Sequence, residues 1–141
     1  RIVRRLADGA DEAESLGVLL DLADSQIVYR SRYLTGPLPN PVLDLVLLDS
    51  TNARSVVFQL EQIVAHMQAL PTLSEDGIPE QPLQDARAIL ATLQNARIEA
   101  LDHERIQEIE MQLLSLSDSI SARYFLQYQR QEKAPQDNFL A

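Results

Sequence analysis

The sequence predicts an all-α protein, an antiparallel bundle of about five helices. Apolar residues recur at three-four spacing through most of the chain. Prolines and turn residues fall between the periodic stretches, and no partner strand stands anywhere for a sheet. Aromatic residues make up only 5% and Trp is absent, so Leu, Ile, Val and Ala have to fill the core, as they do between helices. A length of 141 residues suits one domain.

Turn residues stand at Gly9, at Gly36-Pro37-Leu38-Pro39-Asn40-Pro41, at Asp49 to Asn52, and from Pro71 to Pro82. The first periodic stretch predicts a helix from Asp11 to Leu34, with Leu16, Leu20, Ala23, Ile27 and Leu34 on one stripe and Leu19 and Leu22 widening it. Asp11, Glu12 and Glu14 in its first turn complement the helix dipole. Asn40 as N-cap and Pro41 at the first helical position then open a short buried helix, Val42 to Asp49.

Asn52 is placed to cap a third helix that runs to Leu70, its apolar positions being Val56, Val57, Leu60, Ile63, Val64 and Met67. The stretch 71–82, with Ser74 to Gly77 and two further prolines, reads as an exposed loop. A fourth helix follows from Leu83 through Ala86, Ile89, Leu90, Leu93 and Ala96. Asp102 caps a fifth, along which Ile106, Ile109, Leu113, Leu116, Ile120, Tyr124 and Tyr128 repeat. A turn at Leu101-Asp102 is expected, because one helix of nearly fifty residues is unusual in a compact domain. The tail 132–141 reads as frayed, and the opening Arg1-Ile2-Val3-Arg4-Arg5-Leu6 as the end of a helix already under way. Residues 1–141 are thus read as a single helical domain fragment.

Twelve basic against twenty-one acidic residues leave a net charge of −9, which repels phosphate backbones and argues against nucleic-acid binding. No apolar run reaches the ~20 residues that span a bilayer, and no signal peptide is legible. With no cysteine there is no disulfide framework or thiolate metal site. A cytoplasmic location, away from the membrane, is expected.

Candidate chemistry concentrates at two patches, Tyr29-Arg30-Ser31-Arg32-Tyr33 and Asp49-Ser50-Thr51-Asn52-Ala53-Arg54-Ser55. Arg30 and Arg32 do not share a helix face, so at most one points into the bundle. That guanidinium, with Tyr33, Asp49, Asn52 and Arg54, could hold a carboxylate or phosphate. The plainer reading pairs the arginine with Asp44 or Asp49 and uses the Asp and Asn side chains as caps and Asx turns. His66 lies beside Gln62 and His103 one turn after Glu99, but no Glu-x-x-His unit exists, so no metal or cofactor is implied. Glu99, Glu104, Glu108 and Glu110 read as a solvated acidic face. Neither a nucleophile triad nor a Gly-rich phosphate loop is present, and the sequence points to no reaction.

Leu22 to Ser25, Tyr29 to Tyr33, Val42 to Asp49, Asn52 to Ser55 and Phe58 to Leu60, in that order, resemble the bacterial alpha-E family. Leu116-Ser117-Asp118 and Arg123-Tyr124-Phe125 resemble its terminal helix. A departure is Ala53, where the family tends to carry proline at a first helical position. The resemblance implies an all-helical fold whose naming Glu-Arg motif lies in N-terminal helices, upstream of Arg1. It also implies a protein partner, an ATP-grasp-type ligase encoded beside or within the same polypeptide, and so a role in ATP-dependent peptide synthesis or modification. Three functions stay open: a helical accessory module for that ligase, an anion-binding or catalytic domain at the Arg/Tyr/Asp corner, and a homo-oligomer formed through surfaces that missing helices would cover.

Overall fold

Glu12 and Glu14 place carboxylates against the positive end of the first described helix, α1, which spans Glu12–Leu22. The computed structural model describes residues 12–73 and 75–125, all-α and without strands among them. The expectations for the opening residues, Gly9, Asp11, Ser74, Tyr128 and the tail 132–141 lie outside that range.

The single helix expected over 11–34 is in fact two. Asp24 takes a left-handed φ of 49°, its N–H bonds the Asp21 carbonyl at 3.0 Å, and the Ser25 N–H reaches back to Leu20 at 2.8 Å. Those two bonds close a Schellman motif, which ends a helix by satisfying its last carbonyls. The chain turns and α2, Gln26–Arg32, starts with a new phase. Leu20 is therefore buried, whereas Ile27 at 85% exposure and Leu34 lie in solvent despite sharing the expected stripe. Tyr29 takes the inward position on α2 instead.

Helix α3, Pro39–Leu43, begins earlier than expected. Its N-cap is the extended Leu38, not Asn40, because Pro39 already has the fixed φ that suits a first helical residue. The chain then widens into a π-helical turn, Asp44–Leu48, closed by the Asp49 N–H on the Asp44 carbonyl at 3.0 Å. The three consecutive residues Leu45, Val46 and Leu47 are all buried there.

The next cap is also displaced. Helix α4, Val56–Ala69, is capped by Ser55, whose hydroxyl accepts the Phe58 N–H at 3.1 Å; Asn52 stays outside the helix, and so does Ala53. Helix α5 spans Gln81–Gln94 with Pro82 in its first turn. Asp102 caps α6, His103–Ile120, through the Arg105 N–H at 2.8 Å, as the sequence indicates, and α6 runs on as a π-helical turn, Ser121–Phe125. A 3₁₀ turn, Ile98–Ala100, separates α5 from α6, so 83–125 is not one helix.

The link 71–80 is exposed over its described residues up to Pro79, and Gly77 adopts φ 70°, the region open to glycine. Its far end is anchored: Glu80 and Pro82 are buried.

Helix α4 packs on α5, α5 on α6, and the π turn of α3 on both α4 and α5. The three long helices, joined by short links, form the antiparallel frame of a helical bundle, and α1–α3 close one side. Leu20, Leu45, Leu60 and Leu93 are almost wholly buried where these elements meet. Each such leucine contributes about 2 kcal/mol relative to exposure.

Candidate functional site

Both polar patches meet at one corner, where α2, the π turn and the start of α4 converge. Asn52 is its hub and is buried at 4% exposure. Its amide nitrogen donates to the Ser25 hydroxyl at 3.2 Å and to the Leu45 carbonyl at 2.9 Å, and its side-chain oxygen accepts the Arg54 N–H at 3.2 Å. The Ser25 hydroxyl, at 0% exposure, donates in turn to the Ala23 carbonyl at 2.9 Å. One amide thereby ties the end of α1, the π turn and the approach to α4. Ser55 adds a second tie, donating to the Asp49 carbonyl at 2.6 Å while it caps α4.

Asp49 sits at the outer lip. One carboxylate oxygen accepts from the Thr51 N–H at 2.8 Å and the Thr51 hydroxyl at 2.6 Å; the other pairs with Arg32, which also donates to the Thr51 hydroxyl at 2.9 Å. Burial alone would raise the Asp49 carboxyl, but the Thr51 bonds and the Arg32 guanidinium outweigh it and hold it below the ordinary 3.8. Asp44 moves the other way. Burial raises it first and the charge of Asp49 next; the Arg32 guanidinium offsets part of this, and Glu99 adds the smallest rise.

Of the six residues singled out from the sequence, Arg32, Asp49 and Asn52 do come together, and they bond the chain's own groups. Tyr33 lies against Tyr29, ring centroids 4.7 Å apart and 33° between planes. The Tyr29 hydroxyl in turn donates to the Gly36 carbonyl at 3.1 Å and accepts the Leu38 N–H at 3.2 Å. Arg54 points elsewhere, to an exposed pair with Asp24 at 2.9 Å. Arg30 is exposed and joins no ion pair among the described residues. The pairing of Arg32 with Asp49 follows the plainer expectation, with the difference that Arg32 is exposed at the rim.

Sequence reasoning passed over Glu80 and Arg123. Glu80 accepts the Leu73 N–H at 2.8 Å with one oxygen and the Arg123 Nε–H at 2.6 Å with the other, pinning the 71–80 link to the end of α6. The only signal is an acid just before a proline-started helix, a position that by itself points to the helix dipole and not to a distant arginine. Ser55 was better signalled, as a serine directly before an apolar periodic run.

A second feature is apolar. Leu47 of the π turn, Val56 of α4 and Ile106, Ile109, Leu113 and Leu114 of α6 line an open groove of about 310 Å³, with Glu110 at its wall. Leu114 is 50% exposed there, and Met111, one turn before it, is exposed too. No group of His, Asp and Glu among the described residues could hold a metal ion, and no described helix is long and apolar enough to cross a membrane.

Fold and corner together define an all-α bundle braced by an internal polar clasp. Residues 1–125 match the model of the Alpha-E family, a predicted alpha-helical domain with a conserved ER motif, and the chain belongs to that family. It is similar to uncharacterised proteins of Mycobacterium tuberculosis and Mycobacterium bovis, 28% identical to each over 100 residues, which is 71% of this chain and 10% of theirs. The chain spans about a tenth of the length of these curated relatives. No solved structure matches it.

Proposed function

We propose that this chain is a non-catalytic helical docking module that positions an ATP-grasp-type ligase within a longer polypeptide or a complex. The observation that carries the reading is apolar surface left outside the core on α1 and α2. Val18 is 41% exposed and Leu22, one turn on and on the same face, 60%; Ile27 on α2 is 85% exposed. Large apolar side chains left in solvent on two consecutive helices supply the kind of surface a partner can cover. The much greater length of the relatives supports a neighbour within the same chain as the occupant. The ligase itself comes from the family resemblance. At the corner, Arg32 and Arg54 are paired with Asp49 and Asp24, which speaks for a structural use of that region.

The test is to mix the isolated domain with the separately expressed ligase and measure binding by isothermal titration calorimetry. A one-to-one complex is expected, and Val18→Glu with Leu22→Glu is expected to weaken it at least about tenfold with the helical circular-dichroism spectrum unchanged. A ligase that stays separate from the wild-type domain at tens of micromolar overturns the reading.

A further inference from the structure

Where α4 ends and α5 begins, the chain leaves a cavity of about 280 Å³ beside the 71–80 link. Met67 and Leu83, both buried, and Leu70 and Ile78, each about half exposed, supply its apolar walls. Arg87, one turn along α5 from Leu83, and Tyr124 of the π-helical turn after α6 also line it. A concave, largely apolar space with a few polar groups is the usual form of a small-ligand site.

Two of the lining residues are charged, Glu80 and Arg87, and they are in opposite states. Glu80 is already engaged: one oxygen accepts the Leu73 N–H at 2.8 Å and the other the Arg123 Nε–H at 2.6 Å. Those bonds tie the link to the turn that carries Tyr124, so two walls of the cavity are held together before any ligand arrives. Arg87 is exposed and joins no hydrogen bond or ion pair among the described residues. A guanidinium offers a planar fork of donors that fits a carboxylate or a phosphate. The surroundings choose between the two. A net charge of −9 repels a dianion more than a monoanion, and no glycine-rich loop lends backbone N–H groups to a phosphate. The apolar walls in turn suit a guest with a hydrocarbon body.

We propose that this cavity binds a small monocarboxylate with an aliphatic body, free or as the C-terminal residue of a peptide. Its carboxylate pairs with Arg87 and its body lies against Met67 and Leu83. The site is separate from the α1–α2 surface and stands whether or not that surface docks a ligase.

The test titrates the full 141-residue chain, isotope-labelled, with isocaproate and follows its backbone amides by NMR. Saturable shifts are expected at Gly77, Ile78, Leu83 and Arg87, and none at tens of millimolar acid overturns the proposal. Isocaproamide, which keeps the body and lacks the charge, is expected to bind at least about tenfold more weakly; equal binding overturns it too. Acetyl-glycyl-leucine separates the two sources. Tighter binding than isocaproate makes a peptide C-terminus the guest, weaker binding the free acid, and either keeps the proposal. Arg87→Gln is expected to weaken isocaproate binding at least about tenfold with the helical circular-dichroism spectrum unchanged, because that side chain is exposed and braces nothing. Arg30→Gln, at an exposed arginine on α2 outside the cavity, is expected to leave the affinity intact. No loss from Arg87→Gln, or equal losses from both variants, means that the cavity does not hold the acid, and the proposal falls. Inorganic phosphate that shifts the same amides more tightly than isocaproate overturns the choice of a carboxylate.

Discussion

The polar corner and the apolar groove lie on either side of the same π turn, and they solve opposite problems. At the corner, Asn52, Ser25, Ser55 and Asp49 are matched donor to acceptor within the chain, so little is left over for a ligand. At the groove, Leu47 and Val56 face α6 across open space, and part of Leu114 is still in water. A dense cluster of polar side chains drew the eye in the sequence because those residue types do chemistry. Here they brace the fold, and the unspent free energy lies in the aliphatic surface.

The sharpest way to break this comparison is at Asn52. Asn52→Ala removes the bond to Ser25 and strands the Leu45 carbonyl in a buried place, a loss of about 2–3 kcal/mol by urea denaturation. A loss below about 0.5 kcal/mol, the level of an ordinary surface change, would mean that the corner is not a structural clasp.

The next effect is pH-dependent. Asp49 is held below 3.8 in the fold, so the unfolded chain binds its proton more readily. Its contribution is therefore complete above the unfolded value and lost as pH falls through the folded one. Asp49→Asn should cost roughly 1–2 kcal/mol at pH 7, with the gap to wild type closing below pH 3.8. Asp44, raised above 3.8, has the opposite sign: it favours the fold at low pH and opposes it once ionised. Asp44→Asn should accordingly be neutral to stabilising at pH 7, by up to about 0.5 kcal/mol. Paired denaturation series at pH 7 and pH 3 check both signs. The smallest change is expected from Arg54→Ala, because its pair with Asp24 is exposed on both sides; less than about 0.5 kcal/mol should be lost.

Helix class and most of the core were legible in the sequence. Three-four spacing located α4, α5 and α6 and their inward residues Leu60, Leu93 and Ile109, because long amphipathic stretches declare their buried face. Asp102 was legible as a cap because nothing nearby competes for that role. What escaped was local. An aspartate in left-handed geometry splits 11–34, where a glycine would have announced the stop. Asn52 was read as a cap because asparagine commonly is one, yet Asp49, Ser50, Thr51, Asn52 and Ser55 all crowd that turn, and only tertiary contact assigns the hub to Asn52 and the cap to Ser55. The Glu80–Arg123 tie joins residues 43 apart in sequence, beyond the reach of any periodic argument. At the candidate site, the pairing of Arg32 with Asp49 was foreseeable from charge. The groove was not, since its lining residues look like ordinary core positions until one wall is missing.

The π turn at Asp44–Leu48 has a consequence for how this chain tolerates length changes. One residue more than an α-turn advances everything after it by roughly 100° of helical rotation. Deleting one residue from Leu45 to Leu48 would return the turn to α-helical count and swing the Asp49 carboxylate out of reach of Arg32. Loops absorb a lost residue by shortening; this turn would absorb it by rotating. A relative one residue shorter at this point must have another partner for its Arg32, and the gap in a pairwise alignment would show where the corner was rebuilt.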